Sequence, residues 1–191
     1  MKKGLIAVIA VLVVVAIIAG VCVSNYNSLI TMREEVYSAE SNIDTYLQRR
    51  ADLIPNVVAT VKSYAEHESE VYSNIAAARQ KLVNASTIGE KAEANNELTA
   101  ALQGLNIVVE NYPQLKADAT YIALMDELEG SENRIATARK DYNDVAEEYN
   151  KAIIKFPANI FAGIFNLEKA EYFEADEGAD KAPDVGSLLG D

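Results

Sequence analysis

Twenty consecutive uncharged, apolar residues, Gly4 to Val23, set the first limit on this chain. At about 1.5 Å per residue they make roughly 30 Å of helix, the hydrocarbon thickness of a bilayer. A cleaved secretory signal has a shorter core, about 7–15 residues. The exit of the run, Ala19-Gly20-Val21-Cys22, has the outline of a lipoprotein signal. Its branched Val21 stands where a small residue is expected. The run therefore reads as a retained anchor, residues 1–24, with Gly4, Leu5, Val13 and Val23 spanning the membrane. Cys22 reads as a small apolar residue within it, and lipid attachment is the alternative. Lys2 and Lys3 are the only charged side chains before the span. The positive-inside rule puts them in the cytoplasm and the rest of the chain outside.

The remainder is too short for more than one ordinary domain, since the whole chain has 191 residues. Its 17 Lys+Arg face 29 Asp+Glu, a net charge of −12. That balance argues against nucleic acid as a partner, because a backbone binder needs clustered cations to displace counterions. One Cys excludes an intrachain disulfide and a Cys-based zinc site. His67 is the single histidine, so a zinc-peptidase pair of histidines is excluded too. No Gly-rich loop fits a phosphate and no Gly-x-Ser-x-Gly offers a nucleophile. The expectation is a chain with no catalytic residues, no cofactor, no metal and no small-molecule substrate.

Periodicity reads as long helices. From Ser24 to Val83 there is no glycine and one proline. Leu29, Met32, Val36, Ala39, Ile43, Leu47, Arg50, Ile54, Val57 and Val61 follow steps of three and four, and the pattern continues through Tyr64, Glu68 and Val71 to Ile75, Ala78 and Leu82. That is the seam of a helix packed lengthwise against others. Pro55 sits inside it. Either Asp52 caps a new helix with Pro55 in its first turn, or one helix continues with a kink. The unbroken phase favours the kink and a helix from Asn25 to Leu82, roughly 85–90 Å long. Asn84 to Gly89 is a turn by composition. A second helix is expected over Glu90–Asn111, with Pro113 breaking or kinking it. A third runs over Gln114–Lys155 with Leu128, Ile135, Tyr142, Tyr149 and Phe156 on its seam. The expected fold is all-α: a transmembrane helix continuing into an elongated antiparallel bundle of three long helices plus a short C-terminal one, residues 25–174. The acidic stretch 175–191 reads as a disordered tail.

The run Arg49-Arg50-Ala51-Asp52-Leu53-Ile54-Pro55-Asn56-Val57-Val58 resembles the LemA family. So do Tyr26-Asn27, Glu110-Asn111-Tyr112-Pro113-Gln114-Leu115, Glu129-Gly130-Ser131-Glu132-Asn133-Arg134-Ile135, Ala138-Arg139-Lys140-Asp141-Tyr142-Asn143 and Phe156-Pro157. Gly130 and Ser131 depart from the usual family pattern. The resemblance implies a bacterial single-span inner-membrane protein with a helical-bundle domain and no established enzyme activity. Some members are associated with membrane-bound organelles, and others have genes beside those of membrane metalloproteases.

Each motif residue also has a plain structural reading. Arg49 and Asp52, three apart on a helix, suit a surface pair. Arg50 on the apolar seam suits a buried carboxylate partner. Tyr142 and Tyr149 suit the core with their hydroxyls at its rim, and Asn143 and Asn150 suit a register-fixing role beside it. Ile160, Phe161, Ile164 and Phe165 line one face of a short helix, which needs cover from the protein's own bundle, a neighbouring chain or the bilayer surface. Two functions fit: a self-assembling membrane scaffold, or an adaptor for another membrane protein such as a protease or sensor kinase.

Overall fold

The seam of the first helix carries on past residue 62, but the backbone does not. Tyr64 N–H turns back to the Val61 carbonyl at 3.0 Å, and Ser63 Oγ donates to the Thr60 carbonyl at 2.7 Å. Such side-chain bonds compete with the next helical turn. Tyr72 Oη then donates to the Ala65 carbonyl at 2.6 Å and Tyr64 Oη to Asp118 Oδ2 at 2.9 Å. The expected single helix from Asn25 to Leu82 is thus two helices joined by a turn. The stripe misled because the three seam positions Tyr64, Glu68 and Val71 fall on or beside the turn, and none is buried.

The computed structural model describes residues 2–174, with side chains from Gly4 onward. The expected tail, 175–191, lies outside the described residues. The helices are α1 (Lys2–Lys62), α2 (Ser69–Asn84), α3 (Ile88–Glu110), α4 (Pro113–Lys116), α5 (Ala119–Ile154) and α6 (Ala158–Ile164), and among the described residues there is no strand. The fold is all-α, as the periodicity indicates. Pro55 lies inside α1, which runs through it without reversal.

The chain divides into two compact units, Met1–Asp44 with Thr137–Glu171, and Thr45–Ala136 with the chain from Tyr172. In the second unit α2 runs back along α1. Tyr72 meets Ala65, and two turns later Arg79 Nε donates to the Ala51 carbonyl at 2.6 Å. Helix α3 turns again behind a capping box: Thr87 Oγ1 accepts from Glu90 N–H at 3.2 Å, and Glu90 Oε2 accepts from Thr87 N–H at 3.1 Å. Ser86 N–H, which donates to the same oxygen at 2.8 Å, and Thr87 N–H hold the Glu90 carboxyl below its usual range. Lys81 and Glu97, 2.6 Å apart, clip α3 to α2. Pro113 opens the short α4 and the chain reverses there. Asp118 Oδ1 caps α5 by accepting from Tyr121 N–H at 2.9 Å, and α5 returns along α1 with Glu127 3.1 Å from Arg49. The unit is a four-helix arrangement whose core includes Ile54, Val57, Ile75, Leu98, Leu105 and Ile135, all nearly or fully inaccessible.

The first unit has fewer walls. Leu29, Val36 and Ile43 of α1 and Tyr142, Ala146, Tyr149 and Ile153 of α5 are among its buried residues along these two helices. The chain then turns through a cis Phe156–Pro157 bond into α6, turns again at Phe165–Asn166, where Asn166 has φ 50°, and continues as an irregular strap, 167–171. Phe156 leaves the seam assigned to it and stands 81% exposed, because α5 ends at Ile154 and the turn carries the ring outward.

Candidate functional site

In the motif around Pro55, α3 and α5 converge on one buried charge of α1, and α2 reaches the residue next to it. Arg50 is 4% exposed. Its Nη1 lies 2.6 Å from Glu132 Oε2 of α5 and donates to Asn95 Oδ1 of α3, while Nη2 donates to Thr99 Oγ1 at 3.0 Å. Arg79 arrives from α2 beside it, on the Ala51 carbonyl. A proline has no N–H to give the carbonyl four residues back. Here that carbonyl belongs to Ala51, itself buried, and the Arg79 side chain supplies the missing donor. Asn95 Nδ2 has no protein partner.

The neighbouring motif residues serve the outside of the same bundle. Arg49 and Asp52 do not pair with each other as their spacing suggests. Arg49 reaches across to Glu127, and Asp52 Oδ1 accepts from Gln48 Nε2 at 2.9 Å, because partners on other turns and on α5 lie closer. Pro55 and Asn56 are exposed, and the Asn56 carbonyl accepts from Thr60 Oγ1 at 2.9 Å. Nothing in the cluster resembles a reaction centre. The two Nη groups of this cation are taken up by groups on α3 and α5, the pattern of a register-setting layer. Among the described residues, no three His, Cys, Asp or Glu converge as a metal site.

The second cluster surrounds α6. The strap after it is read by α5: Asn150 Nδ2 donates to the Ala170 carbonyl at 2.9 Å, and Asn150 Oδ1 accepts from Ala170 N–H at 2.8 Å. Tyr142 Oη donates to the Glu171 carbonyl at 2.7 Å. Burial, with Glu40 and Glu171 nearby, pushes the Tyr142 hydroxyl up to about 12. Of the four residues on the apolar face, Ile160, Ile164 and Phe165 are exposed and Phe161 is half-buried. Only Ala162 of α6 is buried. The bundle's own end therefore does not cover this face. Phe165 instead sets its ring 4.5 Å from that of Tyr26 on α1. The C-terminal end of α6 therefore lies beside Tyr26.

Along α1, Gly4, Leu5, Val13 and Val23 are all exposed, as is nearly all of the run between them. This stretch is long and apolar enough to cross a membrane.

Periodicity missed the partners of Arg50 on α3 and the contact between Tyr26 and Phe165. Asn95 had a signal: it sits one step before Leu98, Leu102 and Leu105 on the α3 seam. Arg79 had one as well, in the carbonyl that Pro55 necessarily leaves open. The ring pair had none, since no local pattern joins residues 26 and 165.

Known proteins give these two clusters a context. Magnetosome protein MamQ 2 of Paramagnetospirillum magneticum is 33% identical over 91% of this chain and 73% of its own length. Magnetosome protein MamQ of Magnetospirillum gryphiswaldense is 29% identical over 90% of this chain and 72% of its own. Protein LemA of Metamycoplasma hominis is 28% identical over 82% and 72% respectively. The family profile described as LemA family matches residues 39–186, which takes in both the Arg50 cluster and α6. The chain belongs to the LemA family.

Proposed function

We propose that this protein is a membrane-anchored helical scaffold that self-assembles and organises or shapes the membrane holding it. The anchor is residues 1–24, the helical domain residues 25–174, with the N-terminus in the cytoplasm and the domain outside. One observation carries the reading. In a single helix, α1, an exposed apolar run is followed without interruption by a seam buried within the protein. A water-soluble chain gains nothing from twenty uncovered apolar residues, whereas a bilayer covers them at about 25 cal/mol per Å². The seam residues Leu29 to Val61 are spent inside the chain, so lateral assembly falls to the span and the outer faces, where Tyr37, Ile107 and Ile122 stand exposed. The lack of a converging metal-ligand set among the described residues fits a structural part, as does kinship with proteins named for the magnetosome.

Detergent extraction followed by sizing and negative-stain imaging tests the assembly. Large homogeneous particles are expected, and a strict monomer at all concentrations overturns self-assembly. Protease added to intact spheroplasts tests the orientation. Degradation of the domain is expected, and protection until lysis reverses the assignment.

A further inference from the structure

We infer that α6 is a second membrane contact, an interfacial foot that lies in the headgroup region beside the point where α1 leaves the bilayer. It rests on the reading of Gly4–Val23 as a span. Tyr26 is three residues past Val23, about 4.5 Å along the helix, so its ring sits at the level where interfacial aromatic belts form. Phe165 packs on that ring with centroids 4.5 Å apart, which brings the C-terminal end of α6 to the same level. The apolar side chains of this short helix are largely uncovered: Ile160 is 50% exposed, Ile164 64% and Phe165 48%, and Phe156 ahead of it 81%. A seven-residue helix is far below the length that holds by itself in water. It carries no charged residue from Ala158 to Leu167, so entering the headgroup region desolvates no ion. Lys155 and Lys169 flank it on either side, suited to reach phosphates from the edges of the inserted face. The clasp of Asn150 on Ala170 and of Tyr142 on Glu171 then holds the strap to α5 from the protein side. The apolar surface of the span thus continues, through the Tyr26–Phe165 pair, into α6. This continuity selects the bilayer over a second copy of the chain as the cover. With a net charge of −12, attraction to anionic lipid is not the driving force, and uncharged phosphatidylcholine suffices.

The chain has no Trp, so single-tryptophan variants report without background. Full-length Ile164→Trp, Val13→Trp and Tyr37→Trp are each reconstituted in phosphatidylcholine vesicles with acyl chains brominated at different depths. Ile164→Trp is expected to emit blue of Tyr37→Trp and to be quenched most by bromines near the ester end. Val13→Trp is quenched most by bromines near the methyl end, and Tyr37→Trp, about 20 Å along α1 from Val23, by neither. Unquenched Ile164→Trp with a quenched Val13→Trp overturns the foot and leaves the span intact. Blue-shifted but unquenched Ile164→Trp gives the face to a second protein chain and equally overturns it. Unquenched Val13→Trp removes the span, and the foot with it. Ile164 is mostly exposed, so the substitution leaves the fold in place, and an unchanged circular dichroism melt verifies that.

Discussion

The two units solve the same problem with different numbers of walls. The unit built on Thr45–Ala136 has four long helical segments beside the short α4, enough to surround a charge. It puts Arg50 at its centre and spends Glu132, Asn95 and Thr99 on satisfying it. The unit built on Met1–Asp44 and Thr137–Glu171 has two long helices, which share one seam and leave its flanks open. It keeps its polar groups at the edge, where Asn150 and Tyr142 bind backbone of the strap and close the side that a third helix would cover. The lesson is that helix count decides where a helical domain can place its specificity. A charge at the centre needs acceptors from several directions, whereas an amide or hydroxyl at the rim needs one passing strand of backbone.

That contrast can be broken at four points. The largest effect is expected at Arg50. Arg50→Ala orphans buried acceptors and opens a cavity, and is expected to cost about 3–5 kcal/mol in a denaturant melt. Arg50→Met with Asn95→Leu fills the same space without polar atoms and should recover most of it. If the alanine variant melts like the parent, the charge is not central to the unit.

Next comes the alkaline behaviour of the two-helix unit. Tyr142 is raised in the folded state from about 10 to about 12. Its contribution is therefore fully present below pH 10 and is lost as the pH rises toward 12, a difference of roughly 2–3 kcal/mol. Melts between pH 9 and 12 should show this loss, and Tyr142→Phe should flatten that part of the slope.

Asn150→Ala removes both bonds to Ala170 and is expected to cost about 2 kcal/mol. Amide hydrogen exchange should then accelerate in the strap and α6 well before it does in Thr45–Ala136. Uniform acceleration would mean that the clasp serves the whole chain and not one unit.

The smallest effect is a coupling. Arg79→Leu leaves the Ala51 carbonyl buried without a donor, whereas Pro55→Ala restores the helical N–H. A double-mutant cycle should give about 1 kcal/mol of interaction, with Arg79→Leu milder in the Pro55→Ala background. Strictly additive effects would separate the proline from the arginine.

Much of the architecture was legible because seams obey local geometry. The positions Leu29 to Val61 and Leu128 to Tyr149 could be placed from spacing alone, and Arg50 stood out as one of two charged members of its stripe, with Glu68. The turn at Ser63–Glu68 was hidden, since it has no glycine or proline and keeps the seam in phase. Its causes are Ser63, Tyr64 and Tyr72 side-chain bonds, two of which reach distant backbone or Asp118. The partners of Arg49 and Arg50 were hidden for the same reason: Glu127, Asn95 and Glu132 lie 45 to 82 positions away, and which helix neighbours which is not written in any one helix. The exposed face of α6 could be drawn from its i, i+4 pattern, but its cover could not, because the ring that meets Phe165 sits at the far end of the chain.

The join between α1 and α5 also has a consequence for biosynthesis. Leu29, Val36 and Ile43 are made early, and the α5 residues that bury them, Ala138 to Ile153, are made roughly a hundred residues later. At about 5–20 residues per second, translation leaves that seam uncovered for on the order of ten seconds while its helix is already threaded into the membrane. Nascent chains anchored side by side would present identical open seams to one another during this interval. Slow elongation between codons 44 and 137 should therefore raise the fraction of mispaired protein, and faster elongation should lower it.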